Sequence, residues 1–317
     1  MAVSVDGLDG GGVDVRALLP VDVRDNVLRV FGERGRAWVD GLPEVVAELV
    51  ARWRLRLEAP RGYGGGTHSL VVAVARAGGG PAVLKVPVQD EENRAEAAAL
   101  RLYAGDGAVL LYEADTASGA LLLERLDPCA ALIDHPDRDM AIDVACALLR
   151  RLRRPAPAGH PFPLVLELVR GWSRAIDAAR TRHGRPLLSG PAERATEAAL
   201  EALATPARGE VLVNRDGHLG NIVAARREPW LLIDPKPLVG EPAFDAGWLL
   251  IDLVRATPTP EAGERLVGRV GEGLGVDPER ARAWALLRAV DNALWDIELG
   301  SDPAEYLAIA TAFAGAL

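Results

Sequence analysis

Asn214-Arg215-Asp216-Gly217-His218-Leu219-Gly220-Asn221, followed by Leu231-Leu232-Ile233-Asp234-Pro235-Lys236-Pro237, carries the side chains that phosphoryl transfer to a hydroxyl group needs. In that chemistry the protein chiefly positions the reactants and neutralises charge. Asp216 is the candidate catalytic residue, a carboxylate able to orient an attacking hydroxyl and take its proton. Asn221 and Asp234 are the candidate metal ligands, offering oxygen to a magnesium ion on nucleotide phosphates. Either piece alone arises by chance. In this order, and between apolar strands, the two point to one chemistry.

Charge neutralisation calls for cations, and the chain is selective about them. It has only two lysines, Lys85 and Lys236, against dozens of arginines. Lys85 lies in Pro81-Ala-Val-Leu-Lys-Val-Pro-Val88, an alternating β-branched run that reads as a strand and suits a lysine gripping the α- and β-phosphates. Glu96, in Arg94-Ala-Glu-Ala-Ala-Ala-Leu100, is the expected carboxylate partner. It is preferred to Glu92, one turn earlier, as lying deeper in the helix. Lys236 follows Asp234 by two residues, and no motif assigns it a role. Arg61-Gly-Tyr-Gly-Gly-Gly-Thr-His-Ser69 can bring backbone N–H groups onto phosphate oxygens, with Gly64, Gly65, Thr67 and Ser69 as the contacts. It lacks the Gly-Lys-Ser/Thr of a Walker loop, and a hairpin would use the same glycines simply to turn. Leu121-Leu-Leu-Glu-Arg-Leu126 is positioned for backbone hydrogen bonds from Glu124 and Leu126 to adenine.

These residues need elements to hold them. Short β runs, Leu55–Ala59, Leu70–Ala75, Ala82–Val88, Ala108–Ala114 and Ala120–Leu126, are separated by turn residues as hairpins require. A helix lies between the third and fourth, with Asp90 as N-cap and Gly105 as stop. Ahead of them Pro43 opens an amphipathic helix to Trp53, preceded by a Gly/Asp-rich start expected to be disordered. From Arg138 the pattern becomes long helices, interrupted by the strands around the Asp216 and Asp234 segments. The expectation is an α+β chain of two parts. Residues 1–126 form a nucleotide-binding lobe around a five-stranded antiparallel sheet, and residues 127–317 a mainly helical catalytic and acceptor-binding lobe.

Composition narrows the partners. At 317 residues, 49% hydrophobic and 26% charged, the chain can bury a full core. Its net charge of −9 argues against nucleic acid, whose phosphates demand basic patches. No apolar stretch reaches the roughly 18 residues of a membrane span, and Met1–Val13 lacks the basic and apolar regions of a signal peptide. A cytoplasmic location without membrane attachment is expected, as a monomer or weak dimer. Cys129 and Cys146 have no metal-type spacing and read as buried thiols rather than a disulfide.

Phe31-Gly-Glu-Arg-Gly-Arg-Ala-Trp38, Leu121-Leu-Leu-Glu-Arg125, the segment from Arg227-Glu-Pro-Trp230 through Asp234-Pro-Lys-Pro237 to Phe244-Asp245, and Asn292-Ala-Leu-Trp295 together resemble one family. It is the aminoglycoside phosphotransferase-like kinases, and within them the aminoglycoside/hydroxyurea antibiotic resistance kinases, which include streptomycin 6-phosphotransferases. The likeness runs from about Val27 to Gly300. It implies a bilobal protein-kinase-like fold and ATP-dependent O-phosphorylation of a small hydroxylated acceptor with magnesium. The family's loop reads His-Gly-Asp followed by an apolar residue, where this chain has Asn214, Arg215 and Gly217. The missing apolar side chain predicts a looser loop. Asp245 matches a family aspartate expected to brace that loop or cap the following helix.

For the acceptor, Asp291, Trp295 and Glu298 fall on one face of a predicted helix Pro278–Leu299, where carboxylates could pair with a cationic molecule and the indole could cover a sugar. The competing reading packs Trp295 into the core and leaves the acids in water. Asp296 and Glu241 are further acidic candidates. The resulting expectation is a kinase of a small, cationic hydroxyl compound such as an aminoglycoside. Its alternatives are a kinase of an amino sugar or another metabolite, and a non-catalytic nucleotide-binding pseudokinase.

Overall fold

The computed structural model describes residues 15–62, 68–91, 93–184, 187–188, 190–205 and 209–315. The expected disorder of the glycine-rich start falls outside them. Contacts divide the chain into two compact units. One runs to Gly105 and resumes over Val109–Leu126; the other holds Asp106–Ala108 and continues from Asp127.

In the first unit α1 (Val21–Arg52) precedes β1 (Arg56–Gly62), β2 (Ser69–Ala75), β3 (Pro81–Pro87), α2 (Glu96–Tyr103), β4 (Leu111–Ala114) and β5 (Leu121–Glu124). The strands form one antiparallel sheet in the order β1-β2-β3-β5-β4. β3 is central, with Lys85 opposite Val71 on one side and Leu121 on the other. Alternation of Leu70, Val72 and Val74 with Leu84 and Val86 gives the sheet a buried face, and Val27, Leu42, Val46 and Leu49 of α1 cover it. Trp38 adds a hydrogen bond from its indole N–H to the Pro87 carbonyl, 3.0 Å.

Two sequence expectations change here. The first helix begins at Val21 rather than Pro43, is broken by Gly32 at φ 54°, and carries Pro43 inside it. An internal proline costs about 3 kcal/mol in an isolated helix, and burial of Leu42, Val46 and Leu49 around it offsets that cost. The second helix begins at Glu96 rather than after Asp90. Asp90 and Asn93 instead bond each other's backbone N–H through their side chains, an Asx-type turn that competes with helix. The helix stops at Ala104 and Gly105, both at positive φ.

The second unit contains β6 (Pro128–Ala131), α3 (Arg138–Leu152), α4 (Val165–His183), α5 (Gly190–Leu203), β7 (Val211–Asn214), β8 (Ile222–Ala225), β9 (Trp230–Leu232), β10 (Pro237–Gly240), α6 (Ala246–Val254), α7 (Pro260–Leu274), α8 (Pro278–Glu298) and α9 (Ala304–Phe313). β6 and β10, not expected from the sequence, pair with β8 and β7 respectively. Asn214 stands opposite Pro237 in the β7–β10 ribbon, so the chain before Asp216 and the chain after Asp234 run side by side. Helix α8 packs against α4, α5, α6, α7 and α9, with Trp284 edge-on to Phe244 and Trp172. Asp137, Thr259 and Asp277 cap α3, α7 and α8 with their side chains. Both cysteines are free thiols, but Cys129 is exposed rather than buried as expected, because it lies on the short strand β6; burial pushes the Cys146 thiol up to about 11, leaving it inert.

A buried polar junction joins this scaffold to the loop after β7. Asp245, 2% exposed, accepts the Asn214 N–H at 2.9 Å and the Arg153 guanidinium at 3.0 Å. Arg153 also donates to the Leu274 and Pro242 carbonyls at 2.7 and 3.0 Å. Replacing Asp245 by Asn keeps the shape but leaves the arginine uncompensated, which costs about 3–5 kcal/mol for a broken buried pair. Urea unfolding of Asp245→Asn is expected to show that loss, and a double variant Arg153→Met/Asp245→Leu to recover much of it. A single-variant loss below about 1 kcal/mol, the scale of an exposed pair, would mean that the junction carries no buried charge.

Candidate functional site

Lys85 and Glu96 form the polar centre of the first unit. The ammonium lies 2.8 Å from both carboxylate oxygens, and the residues are 6% and 1% exposed. Glu96 is thus the partner of Lys85, although it opens α2 rather than lying deep within it. A carboxylate at a helix N-terminus gains from the helix dipole, and the competing Glu92 lies outside the described residues. A buried ammonium held on two oxygens has a fixed position, as a phosphate-binding lysine requires. Gly64, Gly65 and Thr67 lie outside the described residues; Ser69 opens β2 opposite Pro87. Glu124 modifies the adenine expectation. Its N–H is bonded to the Leu110 carbonyl at 2.9 Å, and its side chain accepts the Leu110 N–H at 3.2 Å. Its N–H is therefore a strand bond rather than a donor to a base. Leu126, 8% exposed, ends this unit.

In the second unit the loop from Arg215 to Asn221 is tied down at several points. Asn214 Oδ1 accepts the N–H groups of Asp216 at 3.1 Å and Lys236 at 2.9 Å, and the Arg215 N–H meets the Lys236 carbonyl at 2.8 Å. Asn214 therefore staples the Asp216 loop to the segment after Asp234. Gly217 is buried, and a Cβ on it would come within 2.8 Å of a Leu149 methyl. The space that the absent apolar side chain would occupy is filled from α3 by Leu149.

Asn221 closes the loop onto Asp216. Its Nδ2 donates to the Asp216 carbonyl at 3.1 Å and to Oδ2 at 3.2 Å. That leaves Oδ1 as the amide atom that can face a cation. The Asn221 carbonyl accepts the Ile233 N–H at 2.8 Å, setting the residue before Asp234 against the loop. Asp234 sits at φ 49°, a left-handed conformation that aspartate tolerates better than most residues but that costs energy ahead of a proline. Among the described residues no three His, Cys, Asp or Glu side chains cluster as a closed metal cage. One amide oxygen and one carboxylate suit a hard ion that takes its remaining ligands from water and phosphate.

His218, part of the loop motif, and Asp252, which carried no motif, complete the loop's surroundings. His218 Nδ1 accepts the Gly220 N–H at 3.0 Å and lies 3.5 Å from Asp252 Oδ2; Nε2 lies 3.8 Å from Asp216 Oδ1. Asp252 also accepts the Leu219 N–H at 3.0 Å. Burial works against charge on the ring, but Asp252 and then Asp216 outweigh it, and the His218 pKa is raised. Asp252 was detectable in principle as the one charged residue of the apolar helix α6.

Of the acceptor candidates, Asp291 is brought to the catalytic loop. One of its oxygens is 3.8 Å from the Arg215 guanidinium and 3.3 Å from that of Arg288. Arg288 in turn lies 4.9 Å from the Trp248 ring centroid, and Trp248 meets His218 edge-on and stacks with Tyr306. Trp295 is 48% exposed rather than packed in the core, and Glu298 is exposed on the same helix. Asp296 is half-buried. Glu241 is removed as an acceptor candidate: it is 3% exposed and accepts bonds from Arg280 and the Trp284 indole.

Residues 52–300 match the family described as aminoglycoside/hydroxyurea antibiotic resistance kinase. A hydroxyurea phosphotransferase of Kitasatospora aureofaciens is 40% identical over 287 residues, 89% of this chain and 81% of its own. A streptomycin 6-kinase of Streptomyces griseus is 40% identical over 291 residues, 89% of this chain and 92% of its own. Among solved structures, the choline kinase LicA of Streptococcus pneumoniae aligns with a TM-score of 0.60 at 14% identity, over 86% of this chain and 96% of that one. The fold is the bilobal α+β fold of these kinases, as the sequence implied.

The raised His218 pKa has a measurable sign. A histidine whose folded pKa exceeds its unfolded value, about 6.5, stabilises the fold fully below that value and loses the contribution as pH rises through the folded pKa. Urea unfolding of the protein and of His218→Gln is expected to show a stability gap that is largest in mild acid and shrinks toward alkaline pH. A gap that is constant with pH would remove the ring's charge from the loop's stability.

Proposed function

Because the chain belongs to the aminoglycoside/hydroxyurea antibiotic resistance kinases, we propose that it transfers the γ-phosphoryl group of ATP, with magnesium, to a hydroxyl of a small polar molecule of the aminoglycoside class. The observation that carries this reading is the Asn214–Asp216–Asn221 arrangement, in which two side-chain amides fix the backbone and carboxylate of one aspartate. A protein of this kind acts in the cytoplasm, where ATP is available.

Asp216 orients the acceptor hydroxyl and accepts its proton as the bond to phosphorus forms. Such a transition state is largely dissociative, so placing the oxygen matters more than base strength. Asn221 has two tasks: its Nδ2 holds Asp216, and its Oδ1 would help hold magnesium. Asp234 would supply the charged oxygen for the same ion. Magnesium held there would offset the charge of the phosphates. Lys85, fixed by Glu96, neutralises the α- and β-phosphates. No covalent phosphoenzyme is needed.

On the acceptor side, Asp291 is the α8 candidate tied to the loop, 3.8 Å from the guanidinium of Arg215, which adjoins Asp216 in sequence. A cationic group on the acceptor competes with Arg215 and Arg288 for the same carboxylate, so the contact discriminates modestly. Trp295 offers an exposed indole face and Glu298 an exposed acid along the same helix.

The test is incubation of the full chain with ATP and magnesium against streptomycin, other aminoglycosides, hydroxyurea and amino sugars, with mass spectrometric detection of a phosphorylated product. Product is expected from an aminoglycoside. Product from none of the panel would overturn the substrate class. Asp216→Asn is expected to lower turnover by about 10²–10⁴ while nucleotide affinity is kept; turnover within a few fold of the parent would remove Asp216 from that role. Asp291→Asn is expected to raise the acceptor KM roughly two- to five-fold for a cationic substrate, the scale of a partly exposed ion pair, without moving the KM for ATP. An unchanged acceptor KM would move the acceptor contact away from Asp291.

A further inference from the structure

Both lysines of the chain are bonded to carboxylates, but the two pairs differ in kind. Lys85 and Glu96 are both buried, with the ammonium 2.8 Å from the carboxylate. Lys236 Nζ lies 2.6 Å from Oδ1 of Asp234, the residue read here as the charged metal ligand, and the two side chains are 17% and 34% exposed.

The backbone around this pair is fixed. Prolines at 235 and 237 set φ on both sides of Lys236. Its N–H is held by Asn214 Oδ1 and its carbonyl by the Arg215 N–H. Asp234 is confined to its left-handed conformation. What can move is the four-carbon stem of Lys236, a compact cation on a flexible arm. A doubly charged metal ion and an ammonium cannot share Oδ1 at bonding distance, because their repulsion grows as water is excluded. A metal that takes Oδ1 of Asp234 releases the ammonium from that oxygen, and the phosphates of a nucleotide bound with the metal offer it another anion.

We propose that Lys236 exchanges partners during the reaction cycle: its ammonium holds Asp234 before the metal and nucleotide bind, and it then contacts a phosphate oxygen of the nucleotide. The inference rests on the reading of Asp234 as a metal ligand. It gives the second lysine of the chain a phosphate-binding task of its own. It also gives the loop staple a purpose, since Asn214 fixes the two backbones that carry Asp216 and Lys236, the groups facing the acceptor oxygen and the phosphate.

With only two lysines to resolve, lysine-selective ¹³Cε labelling gives a simple spectrum in which Lys236→Met assigns the Lys236 signal. Addition of magnesium and the non-hydrolysable analogue AMP-PNP is expected to shift that signal, whereas magnesium-free acceptor leaves it in place. In turnover, Lys236→Met, which keeps the stem, is expected to lower kcat about 10²-fold, the scale of one lost transition-state donor, with the ATP KM within a few fold. Lys236→Arg, which keeps the charge, is expected to recover most of that loss. A Lys236 signal unmoved by magnesium AMP-PNP overturns the exchange. So does a kcat in Lys236→Met near that of the parent, or an equal loss in Lys236→Arg, which would mean that fit rather than charge matters. Failure of the underlying reading looks different: Asp234→Ala would then keep the parent's magnesium dependence in calorimetric nucleotide binding, whatever Lys236 does.

Discussion

Asp245 accepts a backbone N–H from the last residue of β7 with one oxygen and a guanidinium from the end of α3 with the other, in a place water does not reach. Taking these charges out of water is costly, and only a full set of partners makes the arrangement tolerable. Arg153 supplies them by reaching two further carbonyls, that of Leu274 at the end of α7 and that of Pro242, three residues before Asp245. The site therefore begins at a junction of helices rather than at a flexible loop. Burial pushes the Asp245 carboxyl up while Arg153 and the Asn214 N–H pull it down, so each group depends on the others being in place. From that junction Asn214 leads directly to Asp216, and its side chain carries the constraint across to Lys236.

Much of this was legible in the sequence because phosphoryl transfer uses few residue types at fixed spacings. Asp216, Asn221, Asp234 and Lys85 stood out by chemistry and by the order of the strands around them. Glu96 followed from the need for a carboxylate beside Lys85, although its place at the start of α2 did not, because Asp90 and Asn93 imitate a helix cap while forming a turn. Other features were hidden for physical reasons. β6 and β10 open on Pro128 and Pro237, and a proline argues against a strand in the sequence. The length of α1 was obscured by Gly32 and Pro43, whose local preferences oppose helix and yield to burial of the neighbouring apolar residues.

Asn214 and Gly217 show why single departures from a pattern mislead. Judged alone, Asn214 loses a histidine and Gly217 loses an anchor. In the fold, the asparagine oxygen accepts two backbone N–H groups, and a leucine from α3 occupies the space over the glycine. Substitutions of this type are compensated through space, by residues such as Leu149 and Asp245 that no local spacing connects to the loop. Arg215 has the same character. Its consequence is visible only through Asp291 and Arg288, which arrive from a helix more than seventy residues later in the chain.

The acids around the loop share a further property: each is engaged by a group of the chain itself. Asp216 is bonded by Asn221, Asp234 by Lys236, Asp252 by the Leu219 N–H, and Asp291 by Arg288. Four carboxylates left uncompensated in one region would repel one another and loosen the loop before any ligand arrived. Paired in this way, they cost the fold little and remain able to bind. On the functional reading proposed above, ligands would enter by exchange rather than by filling vacant charges. A metal held by Asp234 would take the place of the Lys236 ammonium, and a cationic acceptor would compete with guanidinium groups for Asp291. Each exchange returns only the difference between the old partner and the new one, which favours moderate affinity and ready release of products over tight binding.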